Sequence, residues 1–177
     1  MDELLTLIIS ALYLILPAYV ANMSPVIFGK LKLPGGISIN KKIFGANKTW
    51  RGFYAGFLTA LLTLFIQYLL YENGILVSYS LLNYADISLL LFALLFGIGA
   101  ITGDLIESFF KRRLKIAPGR PWIPFDQIDF ILGAYLLLLP AYIMPWQVLL
   151  TLLIITPVLH LLTNILAYLV GLKKVWW

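Results

Sequence analysis

From Phe130 to Leu172 the chain reads FILGAYLLLLPAYIMPWQVLLTLLIITPVLHLLTNILAYLVGL, without one charged side chain. A helix needs about 20 mostly apolar residues to cross a bilayer, so this run is long enough for two crossings. Met144-Pro145-Trp146 divides it, because proline cannot continue a helix and tryptophan favours the membrane interface. Further charge-free runs fall at Leu4–Gly29, Gly52–Tyr71 and Ile87–Gly103. The pattern predicts an all-α integral membrane protein with five transmembrane helices, at about 4–23, 52–71, 87–106, 126–144 and 147–171, in a single polytopic domain covering 1–177. Prolines Pro17, Pro140 and Pro157 are expected to kink their helices.

Composition agrees. Hydrophobic residues make up 62% and charged residues 12% of the chain, against roughly 45–50% and 25% in a soluble domain. That excludes a disordered chain and a water-soluble globule. The absence of cysteine removes disulfides and thiol chemistry, and a single histidine removes a multi-histidine metal site. The first span is read as retained rather than as a cleaved signal, because Asp2 and Glu3 precede it where a signal carries positive charge.

The 13 Lys and Arg residues all lie between spans one and two, between spans three and four, or after span five, where Lys173 and Lys174 stand. With five crossings these segments share one face. The opposite face holds only Asp2, Glu3, Glu72 and Asp86. The positive-inside rule then places the N-terminus outside and the C-terminus in the cytoplasm, with cytoplasmic loops at about 24–51 and 107–125. The basic excess therefore marks membrane orientation, and no nucleic-acid partner is expected.

The remaining carboxylates gather on the cytoplasmic side. In Gly103-Asp104-Leu105-Ile106-Glu107-Ser108-Phe109-Phe110-Lys111-Arg112, the polar residues Asp104, Glu107, Ser108, Lys111 and Arg112 recur at helical spacing. If span three continues as a helix beyond the membrane, they share one face, with a cation-binding end and a phosphate-binding end. A solvated helix end with i,i+4 charge pairs is the plainer alternative. Asp126 and Asp129 are likewise i and i+3 at the start of span four. Helix-dipole stabilisation accounts for one of them, but two adjacent carboxylates repel unless a cation sits between them. Hard oxygen ligands of this kind suit Mg²⁺. Ahead of span two, Asn47-Lys48-Thr49-Trp50-Arg51-Gly52 sets Lys48 and Arg51 at a helix start, where free backbone N–H groups favour anions and Asn47 or Thr49 can cap; a plain interfacial anchor is an equal reading. Within span five, His160 and Asn164 are four apart and are read as a structural hydrogen bond.

Gly103-Asp104-Leu105-x-Glu107-Ser108-x-Phe110-Lys111-Arg112 followed by Asp126-x-x-Asp129 resembles the signature of CDP-diacylglycerol synthases, and Asn47-Lys48-Thr49-Trp50-x-Gly52 resembles their upstream motif. The small five-span size is closer to the archaeal CDP-archaeol synthases. The Lys-Asp pair and Gly-His-Gly-Gly segment of the bacterial members are missing, and Arg51 stands where those commonly carry Glu. The resemblance implies transfer of CMP from CTP to an unsaturated archaeal ether-lipid phosphate, 2,3-di-O-geranylgeranylglycerol 1-phosphate, with release of pyrophosphate, in the cell membrane. It implies a Mg²⁺ ion on Asp104, Asp126 and Asp129, with Glu107 and Lys111 completing the catalytic group. Asn47, Lys48, Thr49, Arg51, Ser108 and Arg112 would contact nucleotide and phosphates. The partners implied are CTP, the lipid phosphate and membrane lipids, with room for a homodimer. Alternatives are a phosphatidate cytidylyltransferase acting on ester lipids and, from another class, a small membrane transporter. A transporter places its ionisable groups near the bilayer midplane, whereas here they stand at the cytoplasmic helix ends.

Overall fold

A computed structural model describes residues 2–117 and 120–169. Its elements are α1 (Glu3–Lys30), α2 (Trp50–Glu72), α3 (Leu89–Arg113), α4 (Phe125–Leu138) and α5 (Trp146–Leu169), with a short 3₁₀ turn at Val77–Tyr79. No strand forms among the described residues; a single bridge joins Ser38 to Thr49. The expected tail of span five and the basic pair Lys173 and Lys174 lie outside the described residues.

Among the described residues, four helices, α1, α2, α3 and α5, are long and apolar enough to cross a membrane. The fourth expected span is helical over only part of its length. It was placed over 126–144, but α4 has 14 residues, a rise of about 21 Å. It ends at Leu138 because Pro140 has no N–H to offer the preceding turn. Conversely, α1 runs through Ser24-Pro25, beyond the expected end near 23, and α3 continues to Arg113, well past 106.

α1 tolerates its internal prolines because side chains satisfy the freed carbonyls. Pro17 cannot donate to Tyr13 O, and Gln67 Nε2 on α2 donates to it instead at 2.6 Å. Pro25 likewise frees Ala21 O, which accepts from Ser24 Oγ at 2.8 Å. In hydrocarbon each unpaired carbonyl would cost several kcal/mol, so these two bonds let α1 continue unbroken through both prolines.

The interior is built from small and medium side chains: Ala11, Leu14, Ile15, Ala18 and Ala21 on α1, Ala60 and Leu64 on α2, Phe96 and Ala100 on α3, and Ile131 and Ala134 on α4. Leu58, Leu62, Phe65, Leu94, Leu136, Ile154 and Val158 face outward, as expected where hydrocarbon replaces water. At the end opposite the basic loops, buried Tyr84 from the α2–α3 connection packs against Tyr13 and Tyr71. On α5, Tyr19 of α1 meets Thr156 at 2.6 Å, and Asn164 contacts His160 Nδ1 at 3.2 Å, the structural bond read from their spacing.

α3 and α4 approach more closely than any bulkier sequence allows. A Cβ on Gly103 would strike the Asp129 carbonyl oxygen, and one on Gly99 would stand 2.7 Å from Ala134 Cα. A Cβ on Gly133 would meet Gly99 O and the Gly103 backbone. This backbone contact carries the first turn of α4 against the last turns of α3, and it positions the site.

Candidate active site

The helical continuation of α3 places Asp104, Glu107, Ser108 and Lys111 toward the bundle. Glu107, Ser108 and Lys111 are buried, while Leu105 and Ile106 are not. Because Gly103 lies against the Asp129 backbone, the carboxylates of Asp104, Glu107 and Asp129 converge, each offering an oxygen within 4.8 Å of the others. Asp129 Oδ1 also accepts from the Phe130 N–H at 2.6 Å.

This grouping differs from the one the family resemblance implied. Asp126 was placed with Asp104 and Asp129; the geometry brings Glu107 into that position and turns Asp126 to Lys111. Lys111 Nζ lies 2.9 Å and 3.1 Å from the two Asp126 oxygens and 3.2 Å from Glu107 Oε1. That last contact is an ion pair without hydrogen-bond geometry, since Glu107 Oε1 has no hydrogen-bond partner. Asp126 Oδ2 additionally accepts from the Trp122 N–H at 2.9 Å, so it ties the approach loop to the start of α4. Ser108 Oγ donates to Glu107 Oε2 at 3.3 Å.

The upstream motif reaches the same place from α2. Lys48 Nζ sits 2.6 Å from both oxygens of Asp104, 56 residues away in sequence. The expected anion site at the α2 N-terminus requires correction. The Trp50 and Arg51 N–H groups are already used by Ile37 O at 3.1 Å and Gly35 O at 2.8 Å. Neither Asn47 nor Thr49 caps the helix; Thr49 is the N-cap residue but makes no side-chain cap bond. The loop folding back over the helix start consumes its donors, so side chains must supply the attraction for anions.

Two cavities flank the Lys48–Asp104 pair. The inner one, about 290 Å³, is lined by Asn47, Glu107, Ser108, Lys111, Arg112, Asp126 and Asp129, among others. The outer one, about 570 Å³, includes Asn22, Asn47, Thr49 and Arg51 in its wall. Lys48 and Asp104 line both. Thus Asn47, Lys48, Ser108 and Arg112 stand with the carboxylates, whereas Thr49 and Arg51 line only the outer space. The inner cavity unites clustered carboxylate oxygens, suited to a hard divalent cation, with cations suited to phosphate.

The sequence reading missed the glycine contact that assembles this site. Its signal is the four-residue spacing of Gly99 and Gly103 on a membrane helix, a small-residue stripe that lets another backbone approach.

Known proteins match the chain over nearly its full length. The family model for CarS-like CDP-archaeol synthase matches residues 4–177. The CDP-archaeol synthase of Pyrococcus furiosus is 39% identical, over 96% of this chain and 98% of its own. That of Methanocaldococcus jannaschii is 36% identical, over 97% and 98%. A solved structure of an intramembrane enzyme for archaeal membrane lipid biosynthesis superposes with TM-score 0.70 at 30% identity, covering 88% of this chain and 92% of that one.

Proposed function

The chain belongs to the CDP-archaeol synthase family, and from that premise we propose how its converging carboxylates and cations carry out the family's reaction. The protein is a multi-pass membrane cytidylyltransferase that forms CDP-archaeol. CTP and an unsaturated ether-lipid phosphate are its substrates. An oxygen of the lipid phosphate attacks the α-phosphorus of CTP; the bond from that phosphorus to the bridging oxygen breaks, and pyrophosphate leaves with the electron pair. A phosphate monoester is already largely dianionic at neutral pH, so no strong base is needed. Positioning and neutralisation of charge do the work.

Asp104, Glu107 and Asp129 would hold Mg²⁺, since oxygens gathered within 4.8 Å close onto one small ion with little movement. When bound, the ion neutralises triphosphate oxygens and polarises the phosphoryl group. Lys111 and Arg112 face the polyphosphate from α3, and Asp126 orients Lys111 while holding the loop at Trp122. Asn47 and Ser108 offer hydrogen bonds, and Lys48, released from Asp104, reaches phosphate. The observation that carries this reading is the convergence of Asp104, Glu107 and Asp129 opposite Lys111 in one cavity.

The site lies on the cytoplasmic side of the cell membrane, with the N-terminus outside and the C-terminus inside. What supports this is that the described basic loops and the α3 end share the same end of the bundle as the carboxylates. A fifth crossing is made by α4 together with the apolar stretch from Leu139 to Met144.

Purified protein should convert labelled CTP and 2,3-di-O-geranylgeranylglycerol 1-phosphate to the CDP-lipid, and excess EDTA should stop it until a divalent cation is restored. Asp104→Asn and Asp129→Asn should each lower turnover about 10²-fold or more. Undiminished turnover in both variants would refute the assigned cation ligands.

A further inference from the structure

Cytidylyl transfer joins two phosphate-bearing substrates, yet all three clustered carboxylates line only the smaller of the two cavities. The larger runs between the C-terminal half of α1, the start of α2 and α3. Asp104 is the single carboxylate in its wall, and Lys48 holds that group through both oxygens. The remaining cation of this wall is Arg51, which is held firmly. Its Nη1 donates to Leu33 O at 2.8 Å, and a Cβ on Gly36 or Gly29 would come within 3.3 Å of Nη1 or Nη2 respectively. Among the described residues its Nε has no hydrogen-bond partner.

Apolar side chains contribute to the same lining. Val26, Ile101 and Leu105 are among them, and Val26 is 63% exposed between Met23 and Ile27, at 61% and 51%, on the outward face of α1. A cavity lined both by a guanidinium and by apolar side chains, one of them on the outward face of α1, matches a phosphate carrying long alkyl chains. It lacks the carboxylate cluster a metal–triphosphate needs, and the inner cavity has one.

The geometry points to the α1–α2–α3 cavity as the seat of the lipid phosphate, with Arg51 as its anionic anchor and the alkyl chains leaving past Val26, Ile101 and Leu105. The assignment rests on the cytidylyltransferase reading above. The nucleotide keeps the inner cavity, and the two substrates meet across the shared wall of Asn47, Lys48 and Asp104. Arg51 thereby becomes a lipid-substrate residue rather than a nucleotide residue.

The test separates the two substrates. For wild type, Arg51→Ala, Arg51→Lys and Val26→Trp, CTP binding in the presence of MgCl₂ is measured by calorimetry, and KM for 2,3-di-O-geranylgeranylglycerol 1-phosphate by turnover. Arg51→Ala should raise the lipid KM about 10- to 100-fold, the size of a charge-assisted hydrogen bond, while CTP affinity stays within about twofold. Arg51→Lys should recover part of the loss. Val26→Trp, which narrows the cavity without touching charge, should raise the lipid KM in the same selective way. Soluble glycerol 1-phosphate should compete weakly and lose its effect in Arg51→Ala but not in Val26→Trp, which separates headgroup from chain recognition. Loss of CTP affinity in step with the lipid KM, or an unchanged lipid KM in both Arg51→Ala and Val26→Trp, would overturn the assignment alone. A wild type that neither binds nor consumes CTP would overturn the enzymatic reading and this assignment with it.

Discussion

Lys111 lies between Asp126 and Glu107 with its side chain 10% exposed, and the carboxylate side chains are 23% and 6% exposed. Taking one member from a buried ion pair leaves the other charge without a partner, which is more costly than never having buried the pair. Lys111→Met should therefore destabilise the protein by about 2–4 kcal/mol, read as a fall in thermal midpoint in detergent, besides abolishing turnover. Adding Asp126→Asn should recover part of the lost stability, because the two changes share one interaction. An unchanged midpoint in Lys111→Met would mean the pair contributes nothing to the fold. The i,i+4 relation of Glu107 to Lys111 was legible in the sequence. The turning of Asp126 toward Lys111, and of Lys48 toward Asp104, was not, because residues 15 and 56 positions apart meet only after the helices pack.

Helices were the most legible level, since charge-free runs bounded by charges mark membrane segments whatever their partners. Each discrepancy has a physical cause. α3 outruns its apolar stretch because its last turns bury polar side chains against α4, so the helix is sustained by packing after hydrophobicity ends. α4 falls short because Pro140 interrupts it. The α2 start is satisfied by carbonyls of a returning loop, a tertiary arrangement that no capping rule anticipates. The α3–α4 contact depends on glycine. In Gly103→Ala the new methyl group meets backbone, which cannot swing aside as a flexible side chain does. The helices should separate by a fraction of an ångström to an ångström at the carboxylate cluster, lowering kcat/KM about 10²-fold. Divalent-cation binding, followed by calorimetry, should weaken in parallel. Retention of both properties would show that the close approach does not set the site.

For the whole molecule, the proposed orientation follows from charge asymmetry, and the absence of cysteine makes it simple to check. Single substitutions provide labelling sites in a naturally cysteine-free background. In intact cells, Glu72→Cys and Asp86→Cys should react with an impermeant maleimide, while Lys41→Cys and Lys115→Cys should react only after the membrane is opened. The reverse pattern would invert the proposed topology. Composition, the positions of charge and the i,i+3/i+4 spacing of the acidic motif were sufficient to identify a multi-pass helical membrane protein with its polar chemistry collected at one end. These properties depend on nearest neighbours in sequence and on transfer between water and hydrocarbon, which each segment undergoes separately. Tertiary structure decided which carboxylates converge, which cation each one faces, and that two cavities share the Lys48–Asp104 wall. Those outcomes depend on how closely α3 and α4 approach and on how the loop before α2 folds back, and such distances arise from packing between segments remote in the chain.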